Sequence, residues 1–331
     1  MEQTVPVAWG ILATGKIATS FARDLRHVPG ARIAAVGSRR EESARSFAAE
    51  HGGRAHASYE ALVTDPEVEV VYVASPHAVH LEHARMALEA GKHVLCEKPL
   101  TLDLADAEEM VRLAREHDRF LMEAMWMACH PVIRAVVDAL ASGRFGTPRQ
   151  VHADLGFVVP PTASPRMSDL ALGAGALLDM GIYPLTFADL VLGPAEEVRA
   201  VAGLSPRGYD DDVAVVTRHA GGAVAACTAS MTSCSPRLGT IATDRGLIEF
   251  DGDFHHPRAA RWLPADGEPE TLTGAEPVLG GGLGNEALEV ARCLAAGRRE
   301  STLVPHERTL RLMRLMDDVR AQVGLEYPGR G

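Results

Sequence analysis

Short apolar runs alternate with helical segments through the first 124 residues, and this alternation limits the fold more than any other feature of the chain. The predicted strands cover residues 5–12, 32–38, 69–74, 92–96 and 120–123, and the predicted helices cover 17–25, 41–51, 80–90 and 104–117. Strands and helices of this length in alternation predict a doubly wound parallel sheet, the Rossmann-like α/β class. Such sheets bind ligands at the carboxyl ends of their strands.

The pattern changes after about residue 147. Predicted strands then follow one another without helices between them, at residues 149–159, 198–204, 213–217, 223–231 and 246–250. This pattern predicts an α+β domain with an open-faced, mostly antiparallel sheet. One helix interrupts at residues 175–192, and two more are predicted at 285–296 and 305–323.

Two domains are therefore expected, residues 1–124 for dinucleotide binding and residues 125–331 for substrate binding and dimerisation. The C-terminal helices are expected to pack back on the first domain. An open sheet needs a cover on its second face, and a second subunit is the expected cover, so we predict a homodimer.

Composition disfavours several classes of partner, although it leaves a local basic pocket open. The 331 residues carry a formal net charge of −11, which disfavours a large nucleic-acid or anionic-membrane surface. No run of eighteen uncharged apolar residues is evident, and the first residues lack the basic start of a signal peptide. The five cysteines are scattered and odd in number, which is typical of reduced thiols. We expect a cytoplasmic protein that acts on a small molecule.

The turn after the first strand resembles the dinucleotide fingerprint G-x-G-x-x-G/A, with Ala13 in place of the first glycine. Gly15 matches the position where the backbone must approach a pyrophosphate, and Ala18 is small enough for helix–strand packing. The candidate cofactor contacts in this turn are Gly10, Ala13, Thr14, Gly15, Lys16 and Ile17.

The end of the second strand distinguishes between cofactors. NAD enzymes usually place an acid there for the ribose 2′-hydroxyl, whereas this chain has Ser38, Arg39 and Arg40. A hydroxyl followed by two guanidinium groups suits a 2′-phosphate, which favours charge-assisted donors. We therefore predict NADP rather than NAD.

An acid, a lysine and a proline follow the apolar strand at residues 92–96. Glu97, Lys98 and Pro99 would lie at the carboxyl edge of the sheet, where a nicotinamide would rest. Lys98 could stabilise the alkoxide charge that develops as a carbonyl is reduced. Pro99 restricts the turn and biases Lys98 towards an extended backbone.

The helix at residues 175–192 carries Asp179 and Tyr183 at spacing i, i+4, which would place both side chains on one face. A tyrosine beside a lysine can donate and accept a proton. Asp179 could hold a substrate hydroxyl or tune Lys98. A core aromatic role for Tyr183 is the alternative.

Three histidines, His77, His80 and His83, follow the third strand at intervals of three. Positions i and i+6 diverge on a helix and no carboxylate set accompanies them, so no metal site is expected here. His77 is expected near the cofactor ribose and His83 on a solvated face. The loop histidines His255 and His256 give no clear indication of function.

Several longer motifs resemble the Gfo/Idh/MocA oxidoreductases over nearly the whole chain. The most specific is AGKHVLCEKPLTLDLADAEEMV at residues 90–111, supported by ASPHAVH at 74–80, LMEAMW at 121–126 and GALLDMGIYP at 175–184. Within that family the chain is most similar to the branch of dimeric dihydrodiol dehydrogenases and NADP-dependent xylose dehydrogenases. That branch carries tyrosine in the G-I-Y motif.

The resemblance implies roles for individual residues. Lys98 would bind the nicotinamide ribose and the substrate, Tyr183 would be the general acid and base, and Asp179 would orient substrate hydroxyls. Glu97 would help to fix the turn. The further cofactor contacts would be Ser75, Pro76, His77, His80 and Glu97, and the further substrate contacts Trp126 and His130. The branch commonly has an arginine and an aromatic residue where this chain has Ala128 and Cys129, which affects the substrate assignment.

The sequence thus predicts an NADP-dependent oxidoreductase that acts on a sugar, a polyol or a cyclic trans-diol, with Lys98 and Tyr183 as the acid/base relay. A ketoreductase of a modified sugar or small metabolite is one alternative. A non-catalytic dinucleotide-binding sensor is another, although a pure binding protein has no need of a proton relay.

Overall fold

The computed structural model describes residues 5–160 and 165–328. Contacts within the chain divide it into two units. Unit 1 comprises Met1–Cys129 with Val278–Leu310, and unit 2 comprises His130–Pro277 with Arg311–Gly331. The chain therefore returns to unit 1 after it has formed most of unit 2.

Unit 1 is built on a six-stranded parallel sheet with the order β3-β2-β1-β4-β5-β6. The strands are β1 Val7–Leu12, β2 Ala31–Gly37, β3 Arg54–His56, β4 Val70–Val73, β5 His93–Glu97 and β6 Leu121–Ala124. The strand order reverses between β1 and β4, which are hydrogen-bonded neighbours. In doubly wound sheets, ligands bind at the carboxyl ends of the two strands that flank such a reversal.

The sheet of unit 1 is covered by helices on its faces. The helices are α1 Lys16–Leu25, α2 Glu41–His51, α3 Tyr59–Val63, α4 His80–Glu89, α5 Leu104–Glu116, α6 Trp126–Cys129 and α9 Leu283–Ala295. Phe21 of α1 stacks on Tyr72 of β4 at 3.9 Å between ring centroids, and Trp9 of β1 meets Phe21 edge-on at 5.2 Å. This aromatic contact fixes the first helix against the two central strands.

Unit 2 is built on an eight-stranded sheet with the order β14-β13-β12-β11-β7-β10-β9-β8. Its strands are β7 Pro148–Gly156, β8 Ala195–Leu204, β9 Asp210–His219, β10 Val224–Ser230, β11 Gly239–Thr243, β12 Gly246–Asp251, β13 Ala259–Pro264 and β14 Glu270–Leu272. The pair β7–β10 is parallel and the other neighbours are antiparallel. The predicted fold class is confirmed for both sheets.

Two helices belong to unit 2, α7 Pro131–Ala141 and α8 Ile182–Leu192, and a third, α10 His306–Val323, is divided between the units after Leu310. Helix α8 packs on β7 and β10. The opposite face of the sheet exposes apolar side chains, with Val201 71% exposed and Val216 48% exposed. One face of the sheet is therefore core and the other is open.

The segment Leu170–Leu192 is long and apolar enough to cross a membrane by length and composition, with a mean hydropathy of 1.4. In the structure, 78% of its most apolar window is buried inside the protein. Burial of this kind is what a core helix shows, and α8 supplies the inner layer beneath the sheet of unit 2.

Helix α8 does not begin as a regular α-helix, contrary to the prediction for residues 175–192. Residues Leu177–Gly181 form a π-helical turn, and Ile182 donates its backbone N–H to the carbonyl of Leu177. Pro184 lies two residues further on and has no backbone N–H to donate to a carbonyl of the preceding turn. The regular hydrogen bonding of an α-helix is therefore interrupted here, which is compatible with the wider π-helical turn. The assumption of α-helical spacing between Asp179 and Tyr183 is therefore wrong in detail.

Candidate active site

The turn between β1 and α1 is open to a ligand. Gly15 is the N-cap of α1 with an extended backbone, and no side chain caps the helix. A Cβ added to Gly15 would meet no protein atom within 4 Å. The first N–H groups of a helix lack partners within the helix and favour anions, so this turn fits a pyrophosphate.

Ala13 occupies the first fingerprint position in a left-handed conformation, with φ of 78°. Its backbone N–H donates to the carbonyl of Gly37 at 3.0 Å, which ties the turn to the end of β2. The turn therefore keeps the conformation for which glycine is favoured, although the residue is alanine. Thr14, Gly15, Lys16 and Ile17 all retain exposed surface beside it.

Gly10 has a different role from the predicted cofactor contact. It lies inside β1 and is buried, and a Cβ there would lie 2.7 Å from a methyl group of Val68. Val68 packs so closely against the strand at Gly10 that a side chain there would clash with it. Because Gly10 is buried by this packing, it offers no surface to a ligand.

Arg39 lies at the end of β2 beside the hydroxyl of Tyr59. Burial raises the pKa of Tyr59, and the charge of Arg39 together with its hydrogen bond to the hydroxyl partly offsets that rise. Burial lowers the pKa of His83, whose ring lies 4.8 Å from that of Tyr59, and the charge of Arg39 adds to this effect. Arg39 and Arg40 are exposed, and Ser38 is buried. This cationic group next to the open turn fits the 2′-phosphate of NADP.

The three histidines after β4 do not behave alike. His83 is buried and bonds through Nδ1 to the Ser75 hydroxyl at 2.8 Å, so the prediction of a solvated face was wrong. His80 is fully buried, with Nε2 2.9 Å from the Ser75 carbonyl and Nδ1 3.0 Å from the Pro99 carbonyl. It links this loop to the turn after β5 and has no surface for the predicted cofactor contact. His77 is 5% exposed beside it.

The turn after β5 is held by buried carboxylates. The Lys98–Pro99 peptide bond is cis. Glu97 accepts a hydrogen bond from the hydroxyl of Tyr72 and another from the backbone N–H of Lys98 at 3.2 Å. These contacts hold the turn, and they leave Lys98 as the half-buried residue at its tip.

A second carboxylate, Glu123 of β6, lies on the other side of the same turn. It accepts from the backbone N–H of Leu100 at 3.0 Å and from the hydroxyl of Thr309 at 2.9 Å. Burial raises the pKa of Glu123 to about 7, while the charge of Lys98 acts in the opposite direction. Lys98 is thus close enough to stabilise the ionised form of a buried acid.

A third acid, Glu286 of α9, is fully buried, and neither carboxyl oxygen has a hydrogen-bond partner among the described residues. Burial and the nearby charges of Glu97 and Asp24 raise its pKa well above the usual range. No role was predicted from the sequence for Glu123, Glu286 or Thr309. Glu123 could have been selected from the sequence, because it is a charged residue within an apolar strand and a buried carboxylate needs partners.

In unit 2, the start of the π-helical turn is fixed by Asp210. Its carboxylate accepts from the backbone N–H of Leu177 at 2.6 Å, and burial raises its pKa to about 7. Asp179 lies in that turn and forms an ion pair with Arg166 at 2.8 Å. The structure thus gives Asp179 a cationic partner that the sequence did not predict.

Tyr183 begins the next turn, in α8, and is 7% exposed. Its ring centroid lies 5.0 Å from that of His255, in the loop after β12. Of the two further substrate contacts that the family resemblance implies, Trp126 is partly exposed and His130 is 1% exposed. Burial lowers the pKa of His130 to about 4, so its imidazole is neutral at physiological pH.

Two family models match the chain. One is described as the oxidoreductase family GFO_IDH_MocA with an NAD-binding Rossmann fold, over residues 7–125, and the other as the GFO/IDH/MocA C-terminal domain, over residues 133–273. Curated relatives include trans-1,2-dihydrobenzene-1,2-diol dehydrogenases from Danio rerio (34% identical, covering 96% of this chain and 97% of the relative) and Bos taurus (33%, covering 97% and 98%).

Solved structures are similar over nearly the whole chain. A 3-ketoreductase from Actinomadura kijaniata, in complex with NADP and TDP-benzene, is 28% identical with a TM-score of 0.86, covering 96% of this chain and 98% of that one. Variants of that protein with a lysine replaced by alanine or a tyrosine by phenylalanine also match. An aldose-aldose oxidoreductase from Caulobacter crescentus is 24% identical (TM-score 0.86, coverage 96% and 97%) and supports the fold alone.

The raised pKa of Glu123 makes a prediction about stability. The pKa of Glu123 in the folded state lies above its ordinary value of 4.5, so the folded protein binds this proton more tightly than the unfolded chain does. The carboxyl group therefore contributes to the free energy of unfolding at low pH, and that contribution is lost as the pH rises towards 7 and above. We expect the free energy of unfolding of Glu123→Gln, relative to the unchanged protein, to rise by about 2–3 kcal/mol between pH 5 and pH 8.

Urea denaturation at the two pH values measures this difference. Glu42→Gln, at an exposed position in the first turn of α2, serves as the matched control and is expected to show no such trend. A Glu123→Gln difference that stays constant with pH would contradict the assignment of a raised pKa to Glu123.

Proposed function

Because the chain belongs to the Gfo/Idh/MocA family of oxidoreductases, we propose that it is an NADP-dependent enzyme acting on a CH–OH group of a sugar, polyol or cyclic trans-diol. The observation that carries this proposal is the arrangement in unit 1. Three features lie at the carboxyl ends of strands in one sheet, where such sheets bind ligands. They are the open N-terminus of the helix after β1, the cationic group at the end of β2 and the lysine at the tip of the turn after β5.

The preference for NADP is supported by Arg39. NAD enzymes usually place an acid at the end of the second strand, and here the position is taken by Ser38 and two arginines. Arg39 is exposed beside Tyr59, so its guanidinium can bond to a 2′-phosphate. The related 3-ketoreductase, which is 28% identical, was solved with NADP.

When bound, NADP would supply the hydride acceptor or donor. Lys98 would bind the nicotinamide ribose and hold the substrate oxygen, stabilising negative charge on that oxygen as the carbon changes oxidation state. Tyr183 would accept the hydroxyl proton in oxidation and return it in reduction. Asp179, oriented by Arg166, would accept hydrogen bonds from substrate hydroxyls.

Two alternatives keep specific support. Reduction of a ketone on a modified sugar is favoured by the similarity to the Actinomadura 3-ketoreductase. Oxidation of a cyclic trans-diol is favoured by the dihydrodiol dehydrogenase relatives, which are about a third identical over their full length. The remaining alternative is a sensor that binds a dinucleotide without turnover. That function does not explain the presence of Lys98 and Tyr183, since binding alone needs no proton relay.

We further propose that the chain is a cytoplasmic homodimer that associates through the open face of the sheet in unit 2. On that face, Val201 of β8 is paired with Ala214, and Val216 of β9 is paired with Ala226 of β10 on one side and with the exposed Arg199 of β8 on the other. Exposed apolar side chains rimmed by polar ones are typical of a protein–protein contact. All five cysteines are free thiols, in keeping with a reducing compartment.

The coenzyme proposal predicts that the protein binds NADPH more tightly than NADH in a fluorescence titration. Arg39→Ala should weaken NADPH binding by about 10- to 100-fold, the value of a charge-assisted hydrogen bond, and leave NADH binding nearly unchanged. Arg45→Ala is the control, since Arg45 is exposed on α2 and pairs with Glu41. Tighter binding of NADH by the unchanged protein would refute the role given to Arg39.

The catalytic proposal predicts that Tyr183→Phe lowers kcat by at least about 100-fold, because a positioned acid or base contributes roughly 10²–10⁴ to the rate. NADPH affinity should remain within about twofold of that of the unchanged protein, since the phenol acts on the substrate alone.

The substrate for this assay is first identified by a screen of aldoses, polyols and trans-dihydrodiols with NADP.

Tyr209→Phe, at a partly exposed position in unit 2 with no proposed role, is the matched control and should keep full activity. If Tyr183→Phe turned over as fast as the Tyr209→Phe control, Tyr183 would not be the acid and base.

The dimer proposal predicts a particle of twice the chain mass of 35.3 kDa in light scattering after gel filtration. Val216→Glu should convert it to a monomer, because a buried carboxylate in an apolar interface is costly. Val278→Glu, at an exposed position in unit 1, should leave the mass unchanged. A dimer that survives the Val216→Glu substitution would rule out this face of the sheet.

A further inference from the structure

The loop between β12 and β13 brings together three side chains that the proposed reaction does not use. Asp253, His255 and His256 each offer one ligand atom, and these atoms all lie within 4.8 Å of one another. Two adjacent histidines in a loop have many uses, so they could not be selected from the sequence alone. Their convergence with an aspartate two positions earlier appears only in the fold.

The spacing of the ligand atoms matches a small divalent ion. Nε2 of His256 lies 3.3 Å from Oδ2 of Asp253. Two ligands held about 2.0–2.1 Å from a tetrahedral zinc ion are separated by about 3.3–3.4 Å, so this pair needs almost no adjustment. The ring of His255 lies 4.4 Å from that of His256 and is nearly perpendicular to it.

The donor set determines the class of ion. Two imidazoles with one carboxylate favour Zn²⁺, Co²⁺ or Ni²⁺ over Ca²⁺ or Mg²⁺, which prefer oxygen ligands alone. Arg237 donates to Oδ2 of Asp253 at 2.9 Å and so orients the carboxylate as an outer-shell partner. Because the charge of Arg237 opposes a cation, we expect affinity of about micromolar strength rather than that of a structural zinc site.

A neighbouring imidazole provides an independent observation. His130 is 1% exposed, and its Nδ1 atom has no hydrogen-bond partner among the described residues. Burial is the main cause of the lowered pKa of His130, and repulsion from the neighbouring His256 is a lesser cause. A buried ring nitrogen without a partner is costly, and a water molecule carried by a bound ion is a donor of the kind it lacks.

We propose that Asp253, His255 and His256 form a binding site for one divalent transition-metal ion of the zinc class, with at least one coordination position left to water. The site lies beside Tyr183, whose ring is 5.0 Å from that of His255. It is independent of hydride transfer, which needs no metal, and it does not depend on the proposed function being correct.

Titration of the untagged, full-length protein with Co²⁺ tests the proposal, because cobalt bound by nitrogen and oxygen ligands gives a visible d–d absorption band. One equivalent of Co²⁺ should saturate the band, and one equivalent of Zn²⁺ should displace it. Asp253→Asn and His256→Gln, which keep the size of each side chain, should each weaken Co²⁺ binding at least about tenfold. His27→Gln, an exposed imidazole on unit 1, is the control and should leave the titration unchanged.

Metal binding should also be lost as the pH falls from 7.5 to 5.5, because the imidazoles must be deprotonated to bind. Absence of a saturable band in the unchanged protein would overturn the proposal, as would a band that survives in both variants. NADPH titration of the same samples separates the two proposals. A protein that binds NADPH but not Co²⁺ refutes the metal site alone, and one that binds Co²⁺ but not NADPH refutes the coenzyme assignment alone.

Discussion

The hydrogen bonds that surround the turn after β5 are the contacts on which the site in unit 1 depends. Glu97 and Glu123 approach this turn from β5 and β6 and accept from the backbone N–H groups of Lys98 and Leu100. Each such bond contributes about 1 kcal/mol net, but leaving a buried donor without a partner costs more. The turn therefore has one well-defined arrangement, and Lys98 is presented at its tip.

This arrangement requires partners from distant parts of the chain. Tyr72 of β4 donates to Glu97, and Thr309 of α10 donates to Glu123. Asp24 at the end of α1 accepts from the backbone N–H groups of Gly281 and Leu283, which fixes the start of α9. The segment Val278–Leu310 thus completes unit 1 although it follows most of unit 2 in the sequence. Buried acids with raised pKa values, as at Glu123, are common at functional sites.

Strong periodicity made most of the two sheets predictable. The long strands and helices of unit 1 and the switch to consecutive strands in unit 2 follow from apolar patterns alone. The three-residue strands β3 and β14 are too short to show a period, and Pro131–Ala141 is rich in β-branched residues, which favour strands in isolation. Packing and a proline in the first turn select the helix there.

The site was predictable in part, and the limits are physical. Lys98, Gly15 and Arg39 could be selected because each stands at the end of an apolar strand, where a charged residue or a glycine is unexpected without a function. Thr309 and Arg166 acquire their roles only through contacts that the fold creates, with Glu123 and Asp179 respectively. The fold buries Gly10 and His80, so each meets a packing or hydrogen-bonding requirement, and neither offers the surface that the predicted cofactor contact needs.

A crystal structure of the protein with NADP bound tests the central claim most directly, because it locates every part of the cofactor relative to unit 1. The account predicts the pyrophosphate at the backbone of Gly15, the 2′-phosphate within hydrogen-bond distance of the Arg39 guanidinium, and the nicotinamide ribose beside Lys98. A cofactor whose 2′-phosphate points away from Arg39, or whose nicotinamide lies at a strand other than β5, would contradict it.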